Sequence, residues 1–267
     1  MDKVTTNNSH REVFLSVKGI SLAFKGVKAI TNISFDIYKG EICAIIGPNG
    51  AGKSSMLNVI NGVYYAQEGT VTFDGKERRR MRVHQVALEG VARTFQNIAL
   101  FQGMTVLDNV IVGRNMKMKS TVLEQVFYFG RPRQEEKEHR RKAEEIIEFL
   151  QIQSFRNTPV NKLPYGLQKR VELGRAMATE PRMLLLDEPM AGMNFEEKKD
   201  MSCFIMEINR EFGTTIALIE HDMGVVMDIS DHVVVMDYGE KIGDGTPEEI
   251  KNNEQVIEAY LGTTRHD

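Results

Sequence analysis

Short apolar segments with two different spacings alternate along the chain. Near the amino terminus, VFLSV, ISLAF and ISFDIY are typical of β-strands, and the alternation in ISFDIY predicts a strand with one exposed face. The segments EICAIIG (41–47) and MLLLDE (183–188) are continuous apolar runs, as expected for strands of a parallel sheet that are covered on both faces. The sequence therefore predicts an α/β fold with a mainly parallel core sheet.

The pattern becomes helical between Thr105 and about Ile152. In QEEKEHRRKAEEIIEFL (134–150) the charged residues dominate one face and apolar residues gather near the end, which is typical of an amphipathic helix. This stretch is a candidate inserted helical subdomain, whereas residues 76–90 read as basic and irregular. After Leu163 the α/β pattern returns, with helices predicted over 167–180 and about 195–211, a strand over 214–221, a hairpin turning at Tyr238-Gly239, and a helix beginning at Thr246-Pro247.

Composition narrows the class of protein. The 267 residues are 42% hydrophobic and 27% charged, which excludes a disordered chain and fits one domain with a sizeable insertion. A net charge of −3 argues against nucleic-acid binding, and two cysteines cannot form a disulfide framework. A membrane-spanning helix needs about 18 consecutive apolar residues, and no run in the sequence is that long. We therefore expect a soluble chain that reaches a membrane through its partners. The basic runs 76–82 and 139–142 are interpreted as solvated surface, with phospholipid or partner contact as the alternative.

The segment GPNGAGKS (47–54) is a phosphate-binding loop, or P-loop: a glycine, four residues and then Gly-Lys-Ser. Backbone N–H groups of such a loop cradle phosphate oxygens, and the following helix adds its positive N-terminal end. Lys53 is expected to reach the β- and γ-phosphates of a nucleotide, and Ser54 to bind Mg²⁺. The predicted nucleotide ligands here are Gly47, Pro48, Asn49, Gly50, Ala51, Gly52, Lys53, Ser54 and Ser55.

A P-loop site also needs a carboxylate for its metal ion, and MLLLDE ends in two acids. Asp187 is expected to hold Mg²⁺ or its water, on a strand that lies next to the P-loop strand. Glu188 can then point toward the γ-phosphate, where it would orient and deprotonate water. The alternative is a buried strand that happens to end in acids, and the presence of the P-loop weighs against it.

These motifs and their order resemble the ATP-binding-cassette (ABC) ATPases. The resemblance implies that Phe24 in LAFKGVKAI stacks on adenine, although a lone phenylalanine can also be core. It implies that Gln96 in ARTFQ contacts Mg²⁺ and water, and that His221 in ALIEHD contacts the γ-phosphate. It also implies an antiparallel β subdomain and an inserted helical subdomain around the P-loop core. The cofactors that it implies are ATP and Mg²⁺.

The segment LPYGLQ (163–168) stands where this family has its signature LSGGQ, and AGMN (191–194) stands in place of the D-loop. Pro164 replaces the signature serine that reaches the nucleotide of the opposite subunit, and proline also lacks an N–H. The trans contact is therefore expected to rest on Gly166 and on the helix beginning near Leu167. Asn194 replaces the D-loop aspartate. Neither departure affects the residues expected to carry catalysis, so hydrolysis is predicted from Lys53, Gln96, Asp187, Glu188 and His221.

The domain boundaries expected from the resemblance are a tail over 1–12 and a single ABC ATPase domain over 13–267. Within it, 13–96 and 161–267 form the nucleotide-binding core and about 97–160 the helical subdomain.

Three stretches resemble one group more closely, the LivG-type ATPase subunits of importers for branched-chain and other hydrophobic amino acids. They are 91–113, LPYGLQKRVELGRAM, and the ending GDGTPEEIKNNEQVIEAYLG. The resemblance implies integral-membrane permeases, a second ATPase subunit that is identical or related, an external substrate-binding protein, and a place on the cytoplasmic face of the inner membrane. It also implies permease docking at residues 97–101, for which packing inside the subdomain is the alternative. A lipopolysaccharide-export ATPase and a soluble, non-transport ABC protein remain open as other functions.

Overall fold

The computed structural model describes residues 11–78, 80–117 and 131–261. They form two compact units: one up to Glu89 and again from Ile208, and the other over Gly90–Glu207. The strands are β1 Val13–Phe24, β2 Val27–Tyr38, β3 Ile42–Ile46, β4 Glu68–Phe73, β5 Lys76–Arg78, β6 Val91–Arg93, β7 Met183–Asp187, β8 Thr215–Ile219, β9 His232–Asp237 and β10 Glu240–Gly245. The α-helices are α1 Lys53–Ile60, α2 Val83–Leu88, α3 Val106–Gly113, α4 Arg131–Phe149, α5 Tyr165–Met177, α6 Phe195–Phe212, α7 Met223–Ile229, α8 Pro247–Lys251 and α9 Glu254–Leu261.

The first unit contains an antiparallel sheet in the order β2-β1-β4-β5. In β2 the segment ISFDIY alternates between buried and more exposed residues, as its sequence pattern predicts, whereas β1 is buried continuously over residues 14–17. One face of such a sheet packs on the core and the other meets water. This sheet is the antiparallel β subdomain that the resemblance implied.

The P-loop strand β3 is buried at all five residues, which is the environment its apolar sequence requires. It pairs in parallel with β8 on one side and with β9 on the other, and β10 pairs antiparallel with β9. Strands β9 and β10 form the hairpin predicted about Tyr238-Gly239. Because β8 and β9 occupy both edges of β3, the expectation that MLLLDE lies next to the P-loop strand is wrong. An apolar run shows that a strand is covered on both faces but carries no information on its neighbours.

The second unit contains the parallel pair β6 and β7, in register from Val91↔Met183 to Arg93↔Leu185, together with α3, α4 and α5. Thr105 caps α3, because its hydroxyl accepts from the Asp108 N–H at 3.1 Å. Helix α5 approaches its neighbours at Gly174, where a Cβ would lie 2.9 Å from Leu150 and 3.3 Å from Ile146. The assignment of about 97–160 as a separate helical subdomain stays a prediction.

Two interpretations of the basic segments need correction. The segment 76–90 is regular over 76–78, which form β5, and over 83–88, which form the short helix α2. The start of α2 is fixed by an Arg82 N–H bond to the Gln85 side chain at 2.9 Å. In the run 139–142, His139 is buried and accepts a bond at Nδ1 from Arg114 Nε at 3.2 Å, so it is not solvated surface. Which residues of a helix are buried depends on the elements that pack against it, and a run of charged residues does not reveal those elements. Within the described ranges, every helix is too short or too polar to span a bilayer.

Candidate nucleotide-binding and hydrolysis site

The P-loop has the backbone that a phosphate cradle needs. Gly47 has φ +148°, and a Cβ there would lie 1.9 Å from the Met236 carbonyl oxygen. Gly52 caps α1 with φ +97°, and a Cβ there would lie 2.5 Å from the Ala29 carbonyl oxygen. Only glycine fits at either position. The loop therefore leads directly into the N-terminus of α1, whose free N–H groups favour an anion.

Lys53 is buried, and its ammonium group spans the loop. Nζ donates to the Gly47 carbonyl at 2.7 Å and to the Pro48 carbonyl at 2.9 Å. A lysine held inside the curve of the loop can exchange these neutral acceptors for phosphate oxygens, which are stronger partners for a cation. The position agrees with the role predicted for Lys53.

Phe24 ends β1 and keeps 42% of its surface exposed. Its ring meets Tyr64 edge to face, with centroids 5.0 Å apart. This exposure weighs against the alternative that Phe24 is a core residue and leaves a ring face for stacking. Tyr64 was not found by sequence reasoning. The aromatic pair Tyr64-Tyr65 soon after the P-loop helix was the available signal.

His221 lies on the same edge of the first unit's parallel strands as the P-loop. The register Ile45↔Ile219 pairs β3 with β8, and both Gly47 and His221 come two residues beyond that pair. The His221 N–H donates to Glu220 Oε2 at 3.2 Å, and the His221 side chain is exposed. The imidazole is therefore accessible at the carboxyl ends of these strands, where open α/β sheets bind ligands.

The second unit brings Gln96 and Glu188 together. Gln96 Nε2 donates to Glu188 Oε2 at 3.0 Å. Each residue comes three positions after the paired residues Arg93 and Leu185, so both lie past the carboxyl ends of β6 and β7. Glu188 also has φ +50°, a left-handed conformation that is uncommon in a residue with a side chain and costs free energy.

Asp187 forms a buried ion pair with Arg93, with Nη2 to Oδ2 at 2.8 Å and 6% of either side chain exposed. Its other oxygen, Oδ1, is buried and faces no hydrogen-bond partner in the part of the chain that the structure describes. A buried carboxylate oxygen left in this way suits a ligand to Mg²⁺ or to a metal-bound water. Arg93 was not found by sequence reasoning, and only its place at the end of a short strand could have pointed to it.

Comparison with known proteins agrees with this geometry. A family profile described as "ABC transporter" matches residues 30–191, which is more than half of the chain. The chain belongs to the ABC transporter family. A second profile, described as "Branched-chain amino acid ATP-binding cassette transporter", matches residues 240–266. Members of the family bind nucleotide.

Relatives of similar length extend the likeness to nearly the whole chain. The chain is 39% identical over 248 residues to the high-affinity branched-chain amino acid transport ATP-binding protein BraF of Pseudomonas aeruginosa, covering 93% of this chain and 97% of BraF. It is equally similar to LivG of Escherichia coli, with the same coverage. A crystal structure of a nucleotide-free ATP-binding cassette from an ABC transporter superposes with a TM-score of 0.80 at 33% identity, covering 93% of this chain and 98% of that one.

The ABC signature segment begins α5 in an altered form. Pro164 is the residue before the helix and provides no side-chain cap. The ring of Tyr165 passes over Gly192, where a Cβ would lie 3.2 Å from the ring. Gly166 is buried, and a Cβ there would lie 2.4 Å from Glu197 Oε1. The predicted trans contact by Gly166 therefore has an acidic side chain beside it.

Asn194 and Glu197 explain how that acid is held. The Glu197 N–H donates to Asn194 Oδ1 and the Asn194 N–H donates to Glu197 Oε2, both at 3.0 Å. This reciprocal capping box begins α6, and the Asn-x-x-Glu spacing in the sequence was the signal for it. Asn194 thus has a structural role at the position of the D-loop aspartate.

The segment that follows Gln96 is anchored to α5 through its main chain. Lys169 Nζ donates to the carbonyls of Phe95 and Gln96 at 3.3 and 2.9 Å. The Glu172 carboxylate accepts from the Phe95 and Ala99 N–H groups at 3.4 and 3.3 Å, and burial raises its pKa while Lys169 opposes the shift. Buried charges on α5 therefore fix this backbone and leave the side chains of Phe95 and Phe101 exposed.

Proposed function

We propose that this chain is the ATP-hydrolysing subunit of an importer for branched-chain or other hydrophobic amino acids. The hydrogen bond between Gln96 and Glu188 supports hydrolysis, because it holds a carboxylate beside an amide at the carboxyl ends of two parallel strands. The match of residues 240–266 to a branched-chain amino acid transporter profile supports the cargo class. BraF and LivG, the similar proteins, are themselves described as branched-chain amino acid transport ATP-binding proteins.

The residues divide the chemistry among them. Backbone N–H groups of residues 47 and 49–55 and the Lys53 ammonium bind the phosphates, while Phe24 stacks on the adenine. Glu188 accepts a proton from the attacking water as Gln96 orients that water, and His221 donates to the γ-phosphate. Charge stabilisation of the transferring phosphoryl group is the main contribution expected of such a site.

Each residue assigned to Mg²⁺ carries a suitable oxygen. Asp187 offers a buried carboxylate oxygen without a partner among the described residues, Ser54 offers a hydroxyl in the first turn of α1, and Gln96 offers an amide oxygen. These are the oxygen ligands that a hard cation selects. When bound, the ion would neutralise charge on the phosphate oxygens.

An exposed apolar side chain on a fixed backbone supports docking to a permease. Phe101 is 51% exposed, and its main chain is tied at both ends to the buried Asn109, which accepts from the Phe101 N–H at 2.9 Å and donates to its carbonyl at 3.2 Å. In the segment 97–101 only Leu100 is buried, so the alternative of subdomain packing applies to that residue. We assign Phe101 to permease docking at the cytoplasmic face of the membrane. A second ATPase subunit would contribute the trans contact, and an external binding protein would deliver the amino acid.

The test is reconstitution with the permeases that copurify with this chain. Vesicles containing the assembled complex, the binding protein and internal ATP should accumulate labelled leucine, and Glu188→Gln should abolish uptake while assembly persists. Stimulation of ATPase activity by lipopolysaccharide, with no response to amino acids, would support the export alternative and overturn the proposal.

A further inference from the structure

Phe24 lies at the end of β1, beyond the reach of one of the two strands that flank β1. On one side, β2 pairs with β1 as far as Phe24↔Val27. On the other side, the pairing with β4 ends at Ser21↔Glu68. The backbone of Ala23 therefore lies past the end of that ladder, and its hydrogen bonds on this side must go to a group other than a strand.

The side chain of Gln67 continues the ladder where β4 ends. Its Oε1 accepts from the Ala23 N–H at 2.9 Å, and its Nε2 donates to the Ala23 carbonyl at 3.0 Å. The primary amide thus forms the pair of hydrogen bonds that a residue of an antiparallel strand would form. The Gln67 backbone is held as well, because its N–H donates to the Ser21 carbonyl at 3.0 Å. The residue just before Phe24 is therefore fixed on both edges of β1.

Tyr64 contacts the Phe24 ring itself. The two ring centroids are 5.0 Å apart and the ring planes meet at 73°, which is the edge-to-face geometry that aromatic pairs favour. Tyr64 is anchored to α1, because its N–H donates to the Asn58 carbonyl of that helix at 3.1 Å. A partly buried ring in this position restricts the rotamers that the exposed Phe24 side chain can adopt.

Tyr64 and Gln67 belong to one short segment, the α1–β4 connection, which comprises residues 61–67. Helix α1 begins at Lys53, so this connection joins the helix of the phosphate site to the aromatic ring that we assign to adenine. All of these residues lie in the first compact unit. The connection therefore holds Phe24 at a set distance from the P-loop.

We propose that Gln67 and Tyr64 are positioning residues for adenine binding, which hold Phe24 in its stacking orientation before nucleotide arrives. This inference rests on the proposed function, in which Phe24 stacks on the adenine. A ring that has the correct orientation only part of the time binds the base more weakly in proportion to that fraction. Removing a positioning residue therefore costs no more affinity than removing the Phe24 ring, and the loss concerns the base and not the phosphates.

The experiment compares Gln67→Ala and Tyr64→Leu in the full-length chain with the parent, with Phe24→Ala and with Gln255→Ala. Calorimetry in the presence of Mg²⁺ measures the affinity for ATP and for inorganic tripolyphosphate, which carries the phosphates without a base. Each positioning variant is expected to bind ATP about two- to fivefold more weakly, within the limit set by Phe24→Ala. Tripolyphosphate affinity and the melting temperature without nucleotide should stay close to those of the parent. Gln255→Ala, at an exposed position of α9, should match the parent in every measurement.

A double variant tests whether the effect acts through Phe24. In the Phe24→Ala background, Gln67→Ala should cause no further loss of ATP affinity, because no ring is left to orient. A further loss as large as in the parent background would overturn the inference, and so would an equal loss of ATP and tripolyphosphate affinity.

The remaining outcomes separate the inference from the proposed function. Unchanged ATP affinity in Gln67→Ala or Tyr64→Leu, with Phe24→Ala weakened, would overturn the role of that residue and leave the proposed function standing. If Phe24→Ala binds ATP as the parent does, the proposed role of Phe24 fails and the inference fails with it. A parent chain that binds no ATP would overturn the proposed function as well.

Discussion

Gln96 Nε2 lies 3.0 Å from Glu188 Oε2, and this bond joins two residues that are 92 positions apart in the sequence. The amide orients the carboxylate at the end of β7, and Glu188 is held there in a left-handed backbone conformation. A base that is fixed before water arrives loses less freedom in the reaction.

Glu188→Gln should retain ATP binding and lose most turnover. The new amide oxygen can still accept the hydrogen bond from Gln96, but it cannot take a proton from water. ATPase activity of the assembled complex and ATP affinity of the isolated subunit are the two measurements. Glu196→Gln, at an exposed position in the first turn of α6, is the control and should behave as the parent. A normal ATPase rate in Glu188→Gln would remove Glu188 from the role of base.

Arg93→Met should destabilise the fold by about 3–5 kcal/mol, because it leaves the Asp187 carboxylate buried without its cation. The pair Arg93→Met/Asp187→Asn should recover part of that loss, since the uncompensated charge is then gone. Urea unfolding of the two variants and of Asp187→Asn completes the cycle. Equal destabilisation in the single and the double variant would show that packing of Arg93, and not its charge, stabilises the fold.

Phe24→Ala should weaken ATP affinity several-fold through loss of about 1 kcal/mol of stacking, with little change in thermal stability. The reason is that 42% of the Phe24 side chain is exposed in the nucleotide-free chain. Phe24→Tyr keeps an aromatic face and should retain affinity. A large fall in melting temperature for Phe24→Ala would assign the residue to the core instead.

Phe101→Asp should prevent binding to the permeases, because burying an unpaired carboxylate in an apolar groove costs several kcal/mol. ATP affinity and melting temperature of the isolated subunit should be retained. Phe212→Asp provides a matched control at the end of α6, where the side chain is 60% exposed. Copurification of the Phe101→Asp subunit with intact permeases would contradict the docking role.

The contacts of His232 predict that the free energy of unfolding falls as the pH rises. Its Nδ1 lies 3.2 Å from Glu41 Oε1 and its Nε2 lies 2.7 Å from Asp244 Oδ1. Burial lowers the pKa of the imidazole, but hydrogen bonds to Asp244, Cys43 and Glu41 outweigh it and raise the pKa to about 12. The pKa of His232 in the folded chain is above its unfolded value of about 6.5. The stabilisation by the charged imidazole is therefore complete below about pH 6.5 and is lost progressively as the pH rises toward the folded pKa.

The measurement for His232 compares the parent with His232→Gln. The difference in melting temperature should be largest near about pH 6 and should shrink toward about pH 9.5. His84→Gln, at an exposed position of α2, should show no such trend. A difference that stays constant across this range would show that the imidazole is not charged in the folded chain.

The sequence by itself determined the elements and motifs that depend on local chemistry. Glycines and Lys53 in the P-loop, the apolar runs of β3 and β7, and the turn at Tyr238-Gly239 are specified by neighbours in the chain, since each depends on local backbone conformation or burial. The resemblance placed Gln96 and Glu188 in one site without their distance. The roles of individual site residues remain predictions that the variants above test.

Only the tertiary structure decided how distant residues pair. The order of strands around β3, the ion pair of Arg93 with Asp187, and the carboxylate of Glu197 beside Gly166 join segments remote in sequence. The chemical type of a side chain limits the partners with which it can pair, but many residues in the chain are suitable partners. The residue with which it does pair depends on how whole strands and helices pack, because this packing fixes the distances between side chains that are far apart in the sequence.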